Sequence, residues 1–153
     1  LVNCLHSLFL ARGDQFVATP TYHVFAMYAA HQGAQAVRSV VTSPEIRYAA
    51  AQNEARTLRG LNGSASRREN VLTLTVTNPD LSEPREAEIA VRGGTLRSAR
   101  ATTLATRDVH NHNTFDAPRA VVPAEADVAV RGAVLVHRFP AASVTKLEIA
   151  LGG

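Results

Sequence analysis

The apolar residues of the chain change their spacing at Gly33, and this change limits the possible folds more than any other feature. After Gly33, apolar and polar residues alternate with a period of two, which is typical of a β-strand with one buried face. In the segment 71–77, Leu72, Leu74 and Val76 point one way, and the threonines between them point the other way. Comparable segments lie at 86–92, 135–139 and 147–151, and further strands fit at 37–42 and 96–106.

Turn residues separate these segments, and each turn combines residue types that favour a tight change of direction. They are Asn62-Gly63, Asn78-Pro79-Asp80, Gly93-Gly94 and Arg131-Gly132. Short strands with turns at intervals favour an antiparallel β-sandwich over a parallel sheet. We therefore predict a mainly β protein with a jelly-roll-like antiparallel sandwich over residues 36–153.

Residues 1–35 follow a different pattern, and we predict that they form a separate unit with a short apolar segment followed by one helix. Thr19 can cap this helix, Pro20 suits its first position, and Gly33 suits the position after its end. We expect the helix to cover about 20–32, where apolar residues recur at helical spacing. One helical face would carry Val24, Met27, Tyr28 and His31.

The composition excludes several classes of function. The chain has 153 residues, with 16 basic and 13 acidic side chains and a formal net charge of +3. Arginines supply almost all of the positive charge and are scattered along the chain, whereas nucleic-acid-binding proteins usually cluster it on one face. No apolar run approaches the ~20 residues that a membrane helix requires. We therefore expect no nucleic acid and no membrane among the partners.

The segment His110-Asn111-His112 could suggest a metal site, because two imidazoles two residues apart on a strand share one face. A metal site needs at least three protein ligands, and only Asp108 and Asp116 lie nearby. Asn, His and Asp are also common turn residues that bond to local backbone. We favour a structural loop and assign no metal ligand and no cofactor.

No catalytic residue is assigned either. Glycoside hydrolysis needs two carboxyl groups roughly 5–10 Å apart, whereas most acidic residues here fall in turns or on outward strand faces. Examples are Glu69, Asp80, Glu83, Glu86 and Glu88. Asn53-Glu54 resembles a catalytic dipeptide, but a bare dipeptide is weak evidence. A nucleophile has no support, because Cys4 has only His6 nearby and Ser143 lies in an ordinary turn.

Small sandwiches often bind sugars, using flat aromatic side chains because a sugar ring has an apolar face. After Gly33 the only aromatic residues are Tyr48, Phe115 and Phe139, and the chain has no tryptophan. Phe139 also falls in the apolar set of its strand. We therefore assign no substrate-binding residue.

Several motifs, taken in order, resemble the α-L-arabinofuranosidases of glycoside hydrolase family 51. The segment 19–25, Thr-Pro-Thr-Tyr-His-Val-Phe, is the most specific of them. The others are Leu1-Val2-Asn3-Cys4-Leu5, Met27-Tyr28, His31-Gln32-Gly33, Ser64-Ala65-Ser66, Leu74-Thr75-Val76-Thr77-Asn78, His112-Asn113-Thr114-Phe115 with Pro118, and Phe139-Pro140-Ala141-Ala142-Ser143-Val144. The resemblance spans nearly the whole chain.

The resemblance implies that this chain is the C-terminal part of a larger enzyme in which a (β/α)8 barrel does the chemistry. Residues 1–35 would then be the last piece of the barrel, and residues 36–153 would be the sandwich. The implied reaction is the retaining hydrolysis of terminal arabinofuranosyl residues by two glutamates on earlier barrel strands. Neither glutamate motif is present, so we expect the chain alone to be an inactive scaffold.

The resemblance also implies partners. These are the catalytic barrel of the same protein and, for the whole enzyme, arabinofuranosyl oligosaccharides; we expect that enzyme to be a cytoplasmic homo-oligomer. Without the barrel, the helix face with Val24, Met27 and Tyr28 would be exposed, and one sheet edge would be uncovered. The alternatives are a free-standing carbohydrate-binding sandwich and a protein-interaction domain.

Overall fold

The computed structural model describes residues 6–49 and 54–152. Strands dominate these residues, and the prediction of a mainly β protein is confirmed. In chain order the elements are β1 Phe9–Arg12, β2 Gln15–Ala18, α1 Pro20–Tyr28, a 3₁₀ turn Ala29–His31, β3 Gln35–Val37, β4 Glu45–Ala49, β5 Ala55–Arg59, β6 Asn62–Arg68, β7 Val71–Asn78, β8 Arg85–Ala90, β9 Leu96–Ala105, β10 Ala124–Val128, β11 Val130–Arg131, β12 Val134–Phe139 and β13 Ser143–Leu151.

Two sheets form the predicted antiparallel sandwich. The larger sheet has six strands in the order β10-β9-β13-β7-β6-β3, and the smaller has three in the order β11-β12-β8. Strand β13 pairs with both β7 and β9 over most of its length, so it forms the centre of the larger sheet. The hairpins β1–β2 and β4–β5 are separate two-stranded sheets.

The core lies between the inner faces of the two sheets. Its main cluster includes Leu72, Leu74, Val76, Leu147 and Ile149 from the larger sheet and Leu135 and Phe139 from the smaller. The alternation predicted for 71–77 is therefore confirmed. Neither Leu147 nor Ile149 has any exposed surface, and full burial of one such side chain contributes about 1.5–3 kcal/mol.

Helix α1 begins as predicted and ends earlier. The hydroxyl oxygen of Thr19 accepts a hydrogen bond from the backbone N–H of Tyr22 at 3.4 Å, and Pro20 occupies the first position. The α-helix stops at Tyr28 rather than at Gln32, because the chain tightens into the 3₁₀ turn and Gln32 adopts an extended conformation. Such tightening is common at the C-terminus of a helix.

The helix face with Val24 and Met27 is covered, which corrects the expectation that it would be exposed. Met27 is buried in a second cluster with Leu104 and Val121, and Val24 packs against the same cluster. The outer face of the six-stranded sheet thus supplies the partner that was expected to be missing. Of the face predicted to be bare, Val24 is half-buried and Tyr28 remains 37% exposed.

Two predicted features near the start of the sandwich are wrong. The strand expected at 37–42 is β3, which ends at Val37, and the following residues continue without regular structure until Glu45. Asn62-Gly63 lies inside β6 instead of forming a turn. The bend falls at Gly60, where an added Cβ would lie 2.6 Å from the carbonyl oxygen of Pro44, so this position requires glycine.

Candidate functional site

The outer face of the six-stranded sheet is polar, and the strand register arranges its side chains in rows across the sheet. One row contains Ser66, Thr73, Glu148, Arg100 and Asp127, and the next contains Ser64, Thr75, Lys146, Thr102 and Glu125. Charged side chains pair within and between these rows: Lys146 lies 2.8 Å from Glu148, and Arg100 contacts both Glu125 and Asp127. This face therefore offers hydroxyl groups and charges where the inner face offers apolar surface.

His31 joins the end of the helical region to this polar face. Its Nδ1 lies 2.6 Å from the Ser66 hydroxyl oxygen, and its Nε2 lies 3.0 Å from that of Thr75. The Thr75 hydroxyl in turn lies 3.0 Å from that of Ser64. We call these four residues the His31 joint. Sequence reasoning placed His31 on the helix face but gave it no role.

Burial lowers the pKa of His31, so its imidazole is neutral at neutral pH. A neutral imidazole donates from one nitrogen and accepts at the other, which suits a position between two hydroxyl groups. No carboxylate hydrogen-bonds to this imidazole within residues 6–49 and 54–152, whereas a Ser-His-Asp triad requires one. The hydrogen bonds of the His31 joint connect the end of the helical region to β6 and β7.

The loop between β9 and β10 is held by Asn113, whose side chain is almost completely buried. Its amide nitrogen donates to the carbonyl oxygens of Ala18 and Val121, both at 2.9 Å, and its Oδ1 accepts from the Val121 N–H at 2.7 Å. The loop is thereby fastened to the end of β2. Sequence reasoning missed this role, although Asn113 belongs to a motif that it identified.

His110 and His112 lie exposed in this loop and make local contacts. The Asp108 carboxylate accepts a hydrogen bond from the His110 backbone N–H at 2.9 Å, and the His112 Nδ1 lies 2.9 Å from the His110 carbonyl oxygen. These are the turn contacts on which the structural interpretation rested. In the part of the chain that the structure describes, no three His, Cys, Asp or Glu residues are grouped to hold a metal ion.

Asp80 is the acidic residue whose pKa changes most clearly. The backbone N–H groups of Glu83 and Ser82 hydrogen-bond to its carboxylate and, with Arg85, lower its pKa to about 2. A catalytic acid needs a pKa near the working pH. Asp80 therefore anchors the turn between β7 and β8, and it is poorly suited to donate a proton.

A groove of about 390 Å³ follows the free edge of β8. It is lined by Thr42, Ser43, Pro44 and Leu61 on one side and by residues 84–88 on the other. Glu86 and Glu88 both belong to β8, so they occupy the same side of the groove and do not face each other across it. The Nε of Arg85 is buried with no hydrogen-bond acceptor among the described residues.

The remaining predicted candidates do not converge. Ser143 is buried, and its hydroxyl donates to the Pro140 carbonyl oxygen at 2.6 Å. Glu54 forms an exposed ion pair with Arg56 at 3.1 Å, and His6 is exposed. Cys4 and Asn53 lie outside the described residues.

The three aromatic residues of the sandwich lie in different surroundings. Phe139 is buried in the core, and the guanidinium of Arg12 lies 4.3 Å above the ring of Phe115. Tyr48 is 41% exposed on the β4–β5 hairpin. These three rings therefore form no shared platform.

An apolar patch is exposed beside the N-terminal hairpin. Phe16 and Phe25 are 63% and 61% exposed. The ring of Phe9 contacts the rings of Phe16 and Tyr22, at centroid distances of 4.6 and 4.8 Å. Helix α1 therefore has apolar side chains on two sides, one facing the sheet and one facing solvent. None of the described helices is long and apolar enough to span a membrane.

Comparison with known proteins relates this arrangement to one class of enzymes. The model of the α-L-arabinofuranosidase C-terminal domain matches residues 1–143. An intracellular exo-α-L-arabinofuranosidase from Bacteroides ovatus is 28% identical over 151 residues, which are 97% of this chain and 29% of that protein. The chain thus spans under a third of the length of this relative.

Two solved structures agree with the family match. The family 51 arabinofuranosidase from Xanthomonas axonopodis pv. citri superposes with a TM-score of 0.87 at 30% identity, over 97% of this chain and 30% of that one. A family 51 α-L-arabinofuranosidase from Bifidobacterium longum gives 0.84 at 26% identity, over 97% and 29%. The chain belongs to the α-L-arabinofuranosidase C-terminal domain family. The resemblance to family 51 seen in the sequence is confirmed.

Proposed function

We propose that this chain is the C-terminal part of a retaining α-L-arabinofuranosidase and that it is a scaffold for a (β/α)8 catalytic barrel. Residues 1–35 would complete the barrel, and residues 36–153 would pack against it as the sandwich. The two catalytic glutamates, one as acid/base and one as nucleophile, would lie in the remainder of the protein. The family membership and the partial coverage of the relatives support this division.

The observation that carries the proposal is the pair of apolar sides on α1. Met27 is buried against the sheet, while Phe25 is exposed on another side of the helix, and Phe16 is exposed on the hairpin that precedes it. A helix that is apolar on several sides is normally enclosed by protein. Large exposed aromatic patches also mark interaction sites on soluble proteins. The Phe16/Phe25 patch would therefore be the surface on which the barrel packs.

The β8 groove would be a second contact with the remainder of the enzyme. Strand β8 is the last strand of the smaller sheet, and an unpaired edge presents backbone donors and acceptors to another strand. Arg85 lines the groove beside this edge, and its guanidinium pairs with Asp80 at 2.8 Å. An added strand would bond to the free backbone groups of β8 and would extend the three-stranded sheet over more of the core.

The test is to produce this chain and the remainder of its parent enzyme separately and to assay both on an aryl arabinofuranoside. We expect no turnover by either part alone and recovered turnover after mixing. The double variant F16S/F25S should recover much less activity, because it removes the apolar patch. The matched control V40S/L81S changes two apolar residues that are 79% and 71% exposed elsewhere, and it should recover activity fully.

Turnover by this chain alone would contradict the absence of catalytic residues. Equal recovery by F16S/F25S and by the control would contradict the assignment of the contact surface. Circular dichroism of the unmixed variants shows whether each retains the fold, which separates a lost contact from a lost structure.

We also propose that the parent enzyme is a cytoplasmic homo-oligomer. The relative from Bacteroides ovatus, described as intracellular, supports the compartment. For assembly, the support is the β4–β5 hairpin, where Tyr48 and Leu58 are 41% and 45% exposed on a two-stranded sheet that is marginally stable alone. Light scattering of the parent enzyme should show an oligomer that Y48S/L58S dissociates; a monomeric parent would refute assembly.

A further inference from the structure

Asn62 is the only asparagine of the chain that is followed by glycine. Asparagine is one of the thermolabile residues of proteins, because the backbone nitrogen of the next residue can attack the carbon of its side-chain amide. A glycine in the next position has no Cβ to obstruct this attack. Asn62 is also exposed at the start of β6, so water has access to it.

The strand register leaves the Gly63 N–H outside the ladder between β6 and β7. The pair of Arg68 with Val71 closes a two-residue turn, and hydrogen-bonded and non-hydrogen-bonded pairs alternate from there along the antiparallel ladder. Gly63 lies five positions before Arg68, so its pair with Val76 is a non-hydrogen-bonded one, and its N–H points away from β7. Strand β3 ends opposite Ala65 and does not extend as far as Gly63.

The Gly63 N–H bonds to its own neighbour instead. It donates to the Asn62 Oδ1 at 3.1 Å, so the Gly63 nitrogen lies beside the amide group that it would attack. The attack breaks no hydrogen bond of the ladder. The extended backbone opposes it, because this conformation holds the nitrogen away from the position that closes a ring with the side chain. The pair of Asn62 with Thr77 must therefore open first, and the ends of strands open at a lower free energy than their centres.

One side-chain contact restrains this opening. The Thr77 hydroxyl donates to the Asn62 carbonyl oxygen at 3.3 Å. Within residues 6–49 and 54–152, no other side chain forms a hydrogen bond with Asn62. The rate at which the strand end opens should therefore depend on Thr77.

We propose that Asn62-Gly63 is a site of spontaneous deamidation, which limits the lifetime of the intact domain. The Gly63 nitrogen attacks the Asn62 Cγ, the new N–Cγ bond closes a succinimide ring, and the Cγ–Nδ2 bond breaks. Ammonia leaves with the proton of the Gly63 amide. Water then opens the ring: cleavage at Cγ gives aspartate, and cleavage at the main-chain carbonyl carbon gives isoaspartate, whose backbone contains one additional carbon.

The additional carbon would lie between two parts of β6 that are fixed. On one side Leu61 is 4% exposed in the main core cluster, and its N–H and carbonyl oxygen both bond to the Ser43 hydroxyl, at 3.0 and 3.2 Å. On the other side β6 remains in register with β7 from Ser64 onward. Isoaspartate should therefore displace Leu61 or the register and destabilise the sheet, whereas aspartate changes only an exposed charge.

The test is to incubate the folded 153-residue chain in mildly alkaline buffer, which promotes loss of the proton from the attacking nitrogen. Peptide mapping by mass spectrometry measures the conversion at each asparagine, and electron-transfer fragmentation separates isoaspartate from aspartate. We expect Asn62 to react first and to give both products. The internal control is Asn111, which is also exposed but is followed by His112, and it should react much more slowly.

Two variants of β7 test the role of strand opening. Thr77→Val removes the hydroxyl and keeps the branched shape of the side chain. It should speed the conversion of Asn62 by about two- to tenfold, because one hydrogen bond that restrains the strand end is lost. The matched control is Thr73→Val, on the same strand and face and paired with Ser66, which should leave the rate unchanged.

The stability of the products tests the consequence. The isoaspartyl chain, separated by chromatography, should unfold at a lower urea concentration than the unchanged chain. The variant Asn62→Asp carries the same new charge on a backbone of ordinary length, and it should unfold like the unchanged chain. An isoaspartyl chain as stable as Asn62→Asp would contradict the predicted damage to β6.

Three further results would overturn the proposal: survival of Asn62 during the incubation, reaction of Asn111 at the same rate, or equal acceleration by Thr77→Val and Thr73→Val. None of these measurements involves the catalytic barrel. The scaffold function can therefore fail while the deamidation site holds, and the reverse is also true.

Discussion

The two faces of the six-stranded sheet come from the same strands but are held to their neighbours by different forces. The inner face is apolar and buries Leu147 and Ile149 completely against the smaller sheet. The outer face contacts α1 through apolar side chains around Met27, and it contacts the turn after α1 through the His31 joint. The loop between β9 and β10 holds the end of β2 through the Asn113 hydrogen bonds. The comparison indicates that the inner face stabilises the fold, while the outer face sets the position of what packs on it.

The largest effect should come from the inner face. Phe139 is 1% exposed in the main core cluster, so Phe139→Ala should lower the free energy of unfolding by about 3–5 kcal/mol. Urea denaturation followed by circular dichroism measures this, because the chain has no tryptophan. On the same strand Val136 is 50% exposed, and Val136→Ala should change stability by less than about 0.5 kcal/mol. Similar losses of stability for Phe139→Ala and Val136→Ala would contradict the proposed difference between the two faces.

An intermediate effect is expected for Asn113 on the outer side. Asn113→Ala removes three hydrogen bonds and leaves buried backbone groups of Val121 unpaired. We expect a loss of about 1–3 kcal/mol, together with faster hydrogen exchange at Val121. The control Asn111→Ala affects an exposed side chain in the same loop and should have little effect. If exchange at Val121 did not change, the loop would not be fastened by Asn113.

The pH dependence of stability should distinguish the two sides further. Burial lowers the pKa of His137, which is half-buried beside Phe139 on β12, and of His31, on the outer face of the larger sheet. A group whose pKa is lower in the folded state contributes stability that is complete above its ordinary pKa, here 6.5, and is lost as the pH falls below it. Stability should therefore decline below pH of about 6.5.

His137→Gln should reduce this decline more than His31→Gln. The His137 Nε2 is buried with no partner among the described residues, so protonation adds a donor without an acceptor. Protonated His31 could still donate to the hydroxyls of Ser66 and Thr75. Urea denaturation at several pH values measures the stability of both variants. If only His31→Gln removed the loss of stability at low pH, His31 and not His137 would be its main source.

Asp80 should cause a further loss of stability at lower pH. This loss should begin below the ordinary pKa of 3.8 and continue to about pH 2.

The smallest effect should come from the exposed charges of the outer face. Arg100 contacts Glu125 and Asp127 at 3.4 and 3.3 Å, and all three side chains are more than half exposed. Arg100→Ala should therefore change stability by less than about 1 kcal/mol, and less in high salt. A larger loss of stability that does not depend on salt would show that Arg100 stabilises the fold by more than exposed ion pairs.

The sequence predicted those elements in which local pattern and burial agree. Strands β7, β12 and β13 have a clean alternation because one of their faces lies in the core, and α1 has both a capping threonine and an N-terminal proline. The β4–β5 hairpin has mostly exposed residues on both faces, so no alternation marks it. Strand β6 was obscured by Asn62-Gly63, a turn-forming pair that the ladder with β7 holds extended.

The contacts of the outer face could not be predicted, because they join residues far apart in the chain. His31 and Thr75 are separated by 44 positions, and Asn113 and Ala18 by 95. The expectation that Met27 would be exposed was wrong for the same reason. Its partners Leu104 and Val121 are far away in the chain, and nothing in their local sequence indicates that they contact the helix.

The fastening of α1 has a practical consequence for recombining relatives of this chain. The change of hydrophobic period at Gly33 suggests a crossover point there. Such a crossover would place His31 against Ser66 and Thr75 from the other parent, and it would place Ala18 against an Asn113 from the other parent. A crossover placed before the β1–β2 hairpin keeps these matched residues on one parental segment. We expect chimaeras joined there to express and fold more readily than chimaeras joined at Gly33.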